Sequence, residues 1–258
     1  MKKTLASIFL LLVTIGAFAQ TEKGIKDTDR NLINATEKGW HIRLSAGYNL
    51  GGAAPLPLPR EIRSIDGYNP GLNLSIEGSV EKSFKESPWS VRMGIRLESK
   101  GMTSNAYTKN YFTEVMNDGS PISGPWTGNV KMELHNTYIT MPVLAVYTIN
   151  ERWNVSVGPY VSYLLDGSFS GEVYDGYIRK DDPTGQKTNV TFAEYDFSSD
   201  IRKFNWGLQA GGEFRAYEHL ALFANLQWGL NGIFPTDFSC VTFALYPIFG
   251  TLGFTYLF

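Results

Sequence analysis

From Leu220 onward the chain alternates. Leu220, Leu222, Ala224, Leu226, Trp228 and Leu230 put an apolar side chain at every second position, with Ala221, Phe223, Asn225, Gln227 and Gly229 between them. A second run repeats the pattern: Tyr246, Ile248, Gly250, Leu252, Phe254, Tyr256 and Phe258 share one face, while Thr251, Gly253 and Thr255 lie on the other. Side chains of a β-strand point to opposite faces in turn, so this period of two predicts strands with one apolar face each. A helix would need a period near 3.6, which these stretches do not have.

The same alternation runs through most of the chain. A first strand over Trp40 to Leu50 carries Trp40, Ile42, Leu44, Ala46, Tyr48 and Leu50 against His41, Arg43, Ser45, Gly47 and Asn49. The second, Gly71 to Glu81, sets Leu72, Leu74, Ile76 and Val80 against Asn73, Ser75, Glu77, Ser79 and Glu81. In the third, Val91, Met93, Ile95 and Leu97 oppose Arg92, Gly94, Arg96 and Glu98. A fourth is expected near Met132 to Ile149, with a bulge or local break at Pro142, whose nitrogen cannot donate to a ladder. The fifth spans Trp153 to Asp166 and the sixth Ile201 to Ala216. Gly51 to Pro70, Thr103 to Val130 and Gly167 to Asp200 are rich in Gly and polar residues and are read as long loops.

Eight strands follow, joined alternately by long loops and short turns until an intermediate last connection. Closure into a ring would leave no unpaired edge, as hydrocarbon requires. Short turns at one end and long loops at the other are characteristic of transmembrane barrels. A ten-stranded variant stays open, because Asn110 to Val115, or Gly171 to Ile178 with Asn189 to Asp196, can each form a further hairpin.

The closing strand, ending in Tyr256-Leu257-Phe258, resembles that of bacterial outer-membrane β-barrels. The resemblance implies a closed antiparallel up-and-down barrel in a Gram-negative cell envelope. It also makes Tyr256 and Phe258 the C-terminal signal that the barrel-assembly machinery reads. The start of the chain agrees with export. Lys2 and Lys3 precede an apolar run from Ile8 to Phe18, and Ala17-Phe18-Ala19 predicts cleavage after Ala19. The expected organisation is therefore a signal peptide at 1–19, a short periplasmic segment at 20–39, and a barrel over 40–258. With an even strand count, both termini of the mature chain lie in the periplasm.

Composition narrows the function. A formal charge of −2 argues against nucleic acid as a partner. Cys240 is the only cysteine, so no intramolecular disulfide can form. It is expected in an outer loop. No metal-ligand spacing or phosphate-cradling glycine loop is present, and no cofactor is expected. The partners to expect are outer-membrane lipids and lipopolysaccharide, the assembly machinery, and an envelope or secretion-system partner.

Three groups of residues stand out. Trp40, Trp89, Trp153, Trp228 and Tyr246 fall at predicted strand ends, where aromatic girdles sit at membrane interfaces. Arg43, Glu77, Glu81, Arg92, Arg96, Glu98, Glu213 and Arg215 fall on inward faces with mixed sign. Eight strands leave an interior just wide enough to fill with side chains, so these charges are read as a paired network plugging the lumen. The competing reading is a selectivity filter. His135, near Glu133, Ser168 and Ser170, is the one grouping that hints at rim catalysis, and it is generic. The loop aromatics Tyr68, Tyr107, Tyr111, Trp126, Tyr174 and Tyr177 either present a binding surface or fold the loops into a lid.

The Tyr138-Ile139-Thr140-Met141-Pro142 segment and the Gly207-Leu208-Gln209-Ala210-Gly211-Gly212 strand resemble the PorT-like barrels of Bacteroidota. That resemblance implies place and fold, a weak link to protein secretion, and no catalytic residues. The expected function is a non-enzymatic structural or accessory component of the envelope. A surface-exposed binding barrel comes second and a rim-located enzyme third.

Overall fold

The computed structural model describes residues 38–117, 120–179, 183–238, 240–241 and 243–258. The predicted signal peptide, and the segment after it as far as residue 37, lie outside them. Among the described residues there are ten strands and a single 3-10 turn, Ser198–Asp200. The strands are β1 (Trp40–Pro55), β2 (Ile62–Asn69), β3 (Leu74–Ser83), β4 (Trp89–Asn117) and β5 (Ser120–Thr148). They continue with β6 (Trp153–Arg179), β7 (Lys187–Asp196), β8 (Phe204–Tyr217), β9 (Leu220–Gly229) and β10 (Leu245–Leu257).

Eight of them close a ring, β1–β3–β4–β5–β6–β8–β9–β10, antiparallel at every step. The seam between first and last strands is fully laddered, from Arg43 opposite Leu257 to Pro55 opposite Leu245. β2 and β7 stand off the ring, β2 on the edge of β4 and β7 on β6. The hairpin anticipated at Gly171 to Ile178 with Asn189 to Asp196 does form, but as part of an extension, so the barrel has eight strands and not ten.

The alternation sets the two faces. Ile42, Leu44, Leu74, Met93, Ile95, Leu208, Leu226, Leu252 and Phe254 are exposed on the outside of the ring, whereas Arg43, Ser45, Glu77, Arg92, Arg96, Gln209, Gln227 and Thr255 are buried inside it. The fold is thus apolar outside and polar inside, the reverse of a soluble barrel.

Strand lengths depart from expectation. β4 and β5 have 29 residues each and β6 has 27, where about 9–11 suffice to cross a bilayer. The predicted loops Thr103 to Val130 and Gly167 to Asp200 are largely the outward continuations of these strands plus β7. Gly51 to Pro70 likewise contains the end of β1 and all of β2. The physical reason is that beyond the apolar belt both faces of a strand can be polar, so the period-two signal fades while the backbone ladder goes on. At Pro142 the β4–β5 ladder skips Gly94 and Ile95 and resumes in the same register, a local break without a bulge. The register shifts lie elsewhere: in the β4–β5 ladder between Lys109 and Tyr111, where Asn110 takes a left-handed φ of 56°, and in the β5–β6 ladder after Thr127 and at Thr137/Tyr138.

Candidate functional site

From the end that carries the described termini up to Lys100, the lumen is filled by layered charge pairs. Nearest the chain termini, Arg43 donates to Glu81 at 3.3 Å and to Glu213 across the barrel. Arg92 Nε donates to Glu81 at 2.8 Å, and Ser90 donates to the other oxygen of the same carboxylate at 2.7 Å. One layer up, Arg96 Nε donates to Glu77 at 2.7 Å, and its Nη2 donates to Gln209 at 3.1 Å. Above that, Lys100 donates to Glu98 at 2.9 Å and to Gln227, while Thr140 donates to Glu98 at 2.6 Å.

Four cations, Arg43, Arg92, Arg96 and Lys100, thus face four carboxylates, Glu77, Glu81, Glu98 and Glu213. A low-dielectric interior holds charges when they are paired and hydrogen-bonded. The formal charges of these eight side chains cancel. A space of about 20 Å³ remains among Glu77, Arg92, Arg96, Gln209 and Glu213, room for about one water.

Seven of the eight inward charges expected from the sequence belong to this network. Arg215 does not: it stands opposite the buried Ala221 near the end of β8, below the last charge layer, and is exposed there. Lys100, Thr140, Gln209 and Gln227 were missed. Lys100 continues the alternation of Arg92, Arg96 and Glu98 on β4, and extending that strand by two residues would have found it.

Trp40, Trp89 and Trp153 stand exposed at the end that carries the described chain termini, with Trp89 edge-on to Tyr147 and Trp153 against Phe214, both at 4.9 Å. Trp228 is exposed towards the far end of its strand, and Tyr246 is half-buried there. Tyr256 and Phe258 are exposed and pack edge-on at 4.9 Å.

At the far end the chemistry changes. The rings of Tyr138, Tyr160 and Phe249 surround Lys100 at 5.4–5.6 Å and roof the polar network. Above them lies an apolar core built on the extended β4, β5 and β6, with Trp126, Leu134, Phe169, Val173, Ile178 and Phe234 all buried. Trp126, read as a loop residue, is a core residue with no exposure. Phe234 packs on Phe169 at 4.9 Å and Phe238 at 4.5 Å. This core borders a cavity of about 530 Å³ lined by Ala53, Met102, Tyr111, Val130, Phe169 and Tyr195 among others. Burial raises the pKa of the Tyr111 and Tyr195 hydroxyls, and Tyr195 donates to the Lys131 carbonyl at 2.9 Å.

The register does bring His135 opposite Ser168 and Glu133 opposite Ser170. Glu133, however, pairs with Lys131 at 2.8 Å, and no hydrogen bond among the described residues joins His135 to Ser168 or Glu133. Cys240 lies half-buried between β9 and β10.

A family model described as an outer membrane protein beta-barrel domain matches residues 18–235. No curated protein matches the chain. Among solved structures, Ail, the attachment invasion locus protein of Yersinia pestis in complex with the heparin analogue sucrose octasulfate, is similar at 14% identity and a TM-score of 0.35, over 85% of this chain and 97% of that one. Neisserial surface protein A is similar at 8% identity and a TM-score of 0.31, over 85% and 97%. The outer membrane protease OmpT from Escherichia coli is similar at 12% identity and a TM-score of 0.31, over 85% and 96%.

Proposed function

The chain belongs to the outer membrane protein beta-barrel domain family, and we propose that within it the protein is a non-conducting, non-enzymatic accessory component of the envelope. Its working part is the sheet that β4, β5, β6 and β7 carry beyond the membrane. The observation behind this reading is the pairing of a filled lumen with strands of 27–29 residues. A barrel whose interior is closed by four ion-paired carboxylates offers no path for solute. Strands nearly three times the length needed to cross a bilayer build a rigid platform instead.

In this reading the described termini face the periplasm, Tyr256 and Phe258 serve the assembly machinery, and the exposed belt meets outer-membrane lipid and lipopolysaccharide. The Tyr138 to Pro142 and Gly207 to Gly212 segments support a place among PorT-like barrels, and with it a secretion or envelope-assembly partner. Catalysis at the rim is disfavoured because, among the described residues, no nucleophile or carboxylate is hydrogen-bonded to His135. A second reading, adhesion through the platform, draws on Tyr107, Phe112 and Phe192, exposed aromatics that the extension carries.

Trimming the β4–β5 hairpin to a short turn above Ser104 and Val130 tests the platform. In-cell crosslinking of the tagged full chain should recover a defined envelope partner, and the trimmed barrel should insert but lose it. Retention of the partner by the trimmed barrel would place the working surface elsewhere. A platform that binds host protein or glycan and no envelope partner would favour adhesion.

A further inference from the structure

The wall of the barrel is incomplete on one side of the far-end cavity. β1 pairs with β3 only from Trp40 to Tyr48, and the ladder ends with the Asn49 N–H donating to the Asn73 carbonyl at 2.8 Å. Beyond that point β1 runs on to Pro55, and the descending chain is β2, which is laddered only to β4. No backbone hydrogen bond joins the upper part of β1 to β2 among the described residues. One side-chain bond crosses the gap, from the Tyr68 hydroxyl to the Gly51 carbonyl at 2.8 Å. Gly51 itself, at φ +149°, lies tight against β10, where a side chain would meet the Ile248 carbonyl.

This seam opens directly into the cavity. Gly51, Ala53 and Pro55 on one side, and Ile62, Ile65 and Tyr68 on the other, all line it. The seam also begins where the apolar belt ends, since Leu50 and the 79%-exposed Leu72 flank its lower edge and Ile65 is exposed beside it. Apolar side chains therefore flank the seam on its outer side as well as lining the chamber behind it. None of the chamber's described lining residues is charged, and its polar groups are hydroxyls such as Tyr68, Ser104, Thr108 and Tyr111. A volume of about 530 Å³ lies within the usual range of small-molecule sites, about 300–1,000 Å³. Apolar cavities stay dry and take apolar guests.

We propose that the chamber binds a hydrocarbon chain, the acyl tail of a lipid or fatty acid, which enters sideways through the seam between β1 and β2. The polar head stays outside, because no charged group lines the chamber to receive it and the network around Lys100 closes the floor. The chain class follows from position and chemistry together: an apolar lateral entrance at the edge of a hydrocarbon belt admits a hydrocarbon tail more readily than a polar solute. Tyr68 is the gatepost, and its bond to Gly51 must break or bend as a tail passes. The site is independent of the platform reading, which concerns the outer surface of the extension.

Photolabelling of the folded full chain tests this. In one arm a diazirine-bearing palmitic acid is added free; in the other the same diazirine chain is carried on a phosphatidylcholine in nanodiscs. Peptide mass spectrometry should find label on Met102, Val130 or Phe169, and the label should be lost in Ala106→Trp, which fills the chamber. Val130→Trp is the second filling variant, and heat-modifiable gel mobility reports which variants have folded. Chamber labelling by the free acid alone assigns a free fatty acid as guest. Labelling in the nanodisc arm assigns a membrane lipid, and requires lateral entry. Label confined to belt residues such as Leu226 and Leu252 in both arms overturns the proposal. So does unchanged chamber labelling in a folded filling variant.

Discussion

Lys100 donates to Glu98 at 2.9 Å, an ion pair between two residues on the same face of one strand, both fully buried in the lumen. Thr140 and Gln227 complete the coordination of Glu98 from two other strands, at 2.6 and 3.4 Å. The carboxylate is the node on which three strands converge.

Removing that node should be costly. Glu98→Ala leaves Lys100 buried without its carboxylate, and breaking one partner of a buried pair costs about 3–5 kcal/mol. The double variant with Lys100→Met should recover much of the loss. Arg215→Ala, outside the network, should stay within about 0.5 kcal/mol. Urea unfolding in lipid vesicles reads all three. Equal effects at Glu98 and Arg215 would deny the network its role.

The belt makes a separate prediction. Leu226 and Leu252 are 53% and 56% exposed on the outside of neighbouring strands. Arginine at either should cost about 2–4 kcal/mol if the site lies at the middle of the bilayer. Stability unchanged in both variants would mean that this face does not meet hydrocarbon.

Planar-bilayer recordings address the lumen. The residual space of about 20 Å³ among the charges predicts no steady ohmic current from the wild-type protein. A reproducible conductance would show that the network rearranges in a membrane.

Alkaline pH should loosen the far-end core before the barrel. Burial raises the pKa of Tyr111 and Tyr195, so the folded state holds their protons above the ordinary tyrosine value of about 10. Their stabilising contribution is complete below that pH and declines as pH rises through it, because the unfolded state then releases protons that the folded state retains. Tyrosinate absorbance of these two should appear together with loss of core structure. Ionisation with the core intact would contradict their burial.

Much of this was legible locally. The apolar and polar faces of β1, β3, β8, β9 and β10 follow from a period of two, which any ten-residue window displays. Glu77 with Arg96 and Glu81 with Arg92 are direct cross-strand neighbours over a short turn, so even those pairs were within reach of the sequence. The far-end strands were not. Once a strand leaves the belt, solvent or a partner sheet can cover either face, and the alternation that marks a membrane strand no longer applies.

By itself, then, the sequence determined which side chains face out and which face in, since that depends only on the pleat. The closed eight-stranded order, the bond between Arg43 and Glu213 across 170 residues, and the open seam beside Gly51 were decided by tertiary structure. Each depends on how strands distant in sequence are staggered around the ring, and stagger is set by closure of the whole sheet rather than by any one stretch of it.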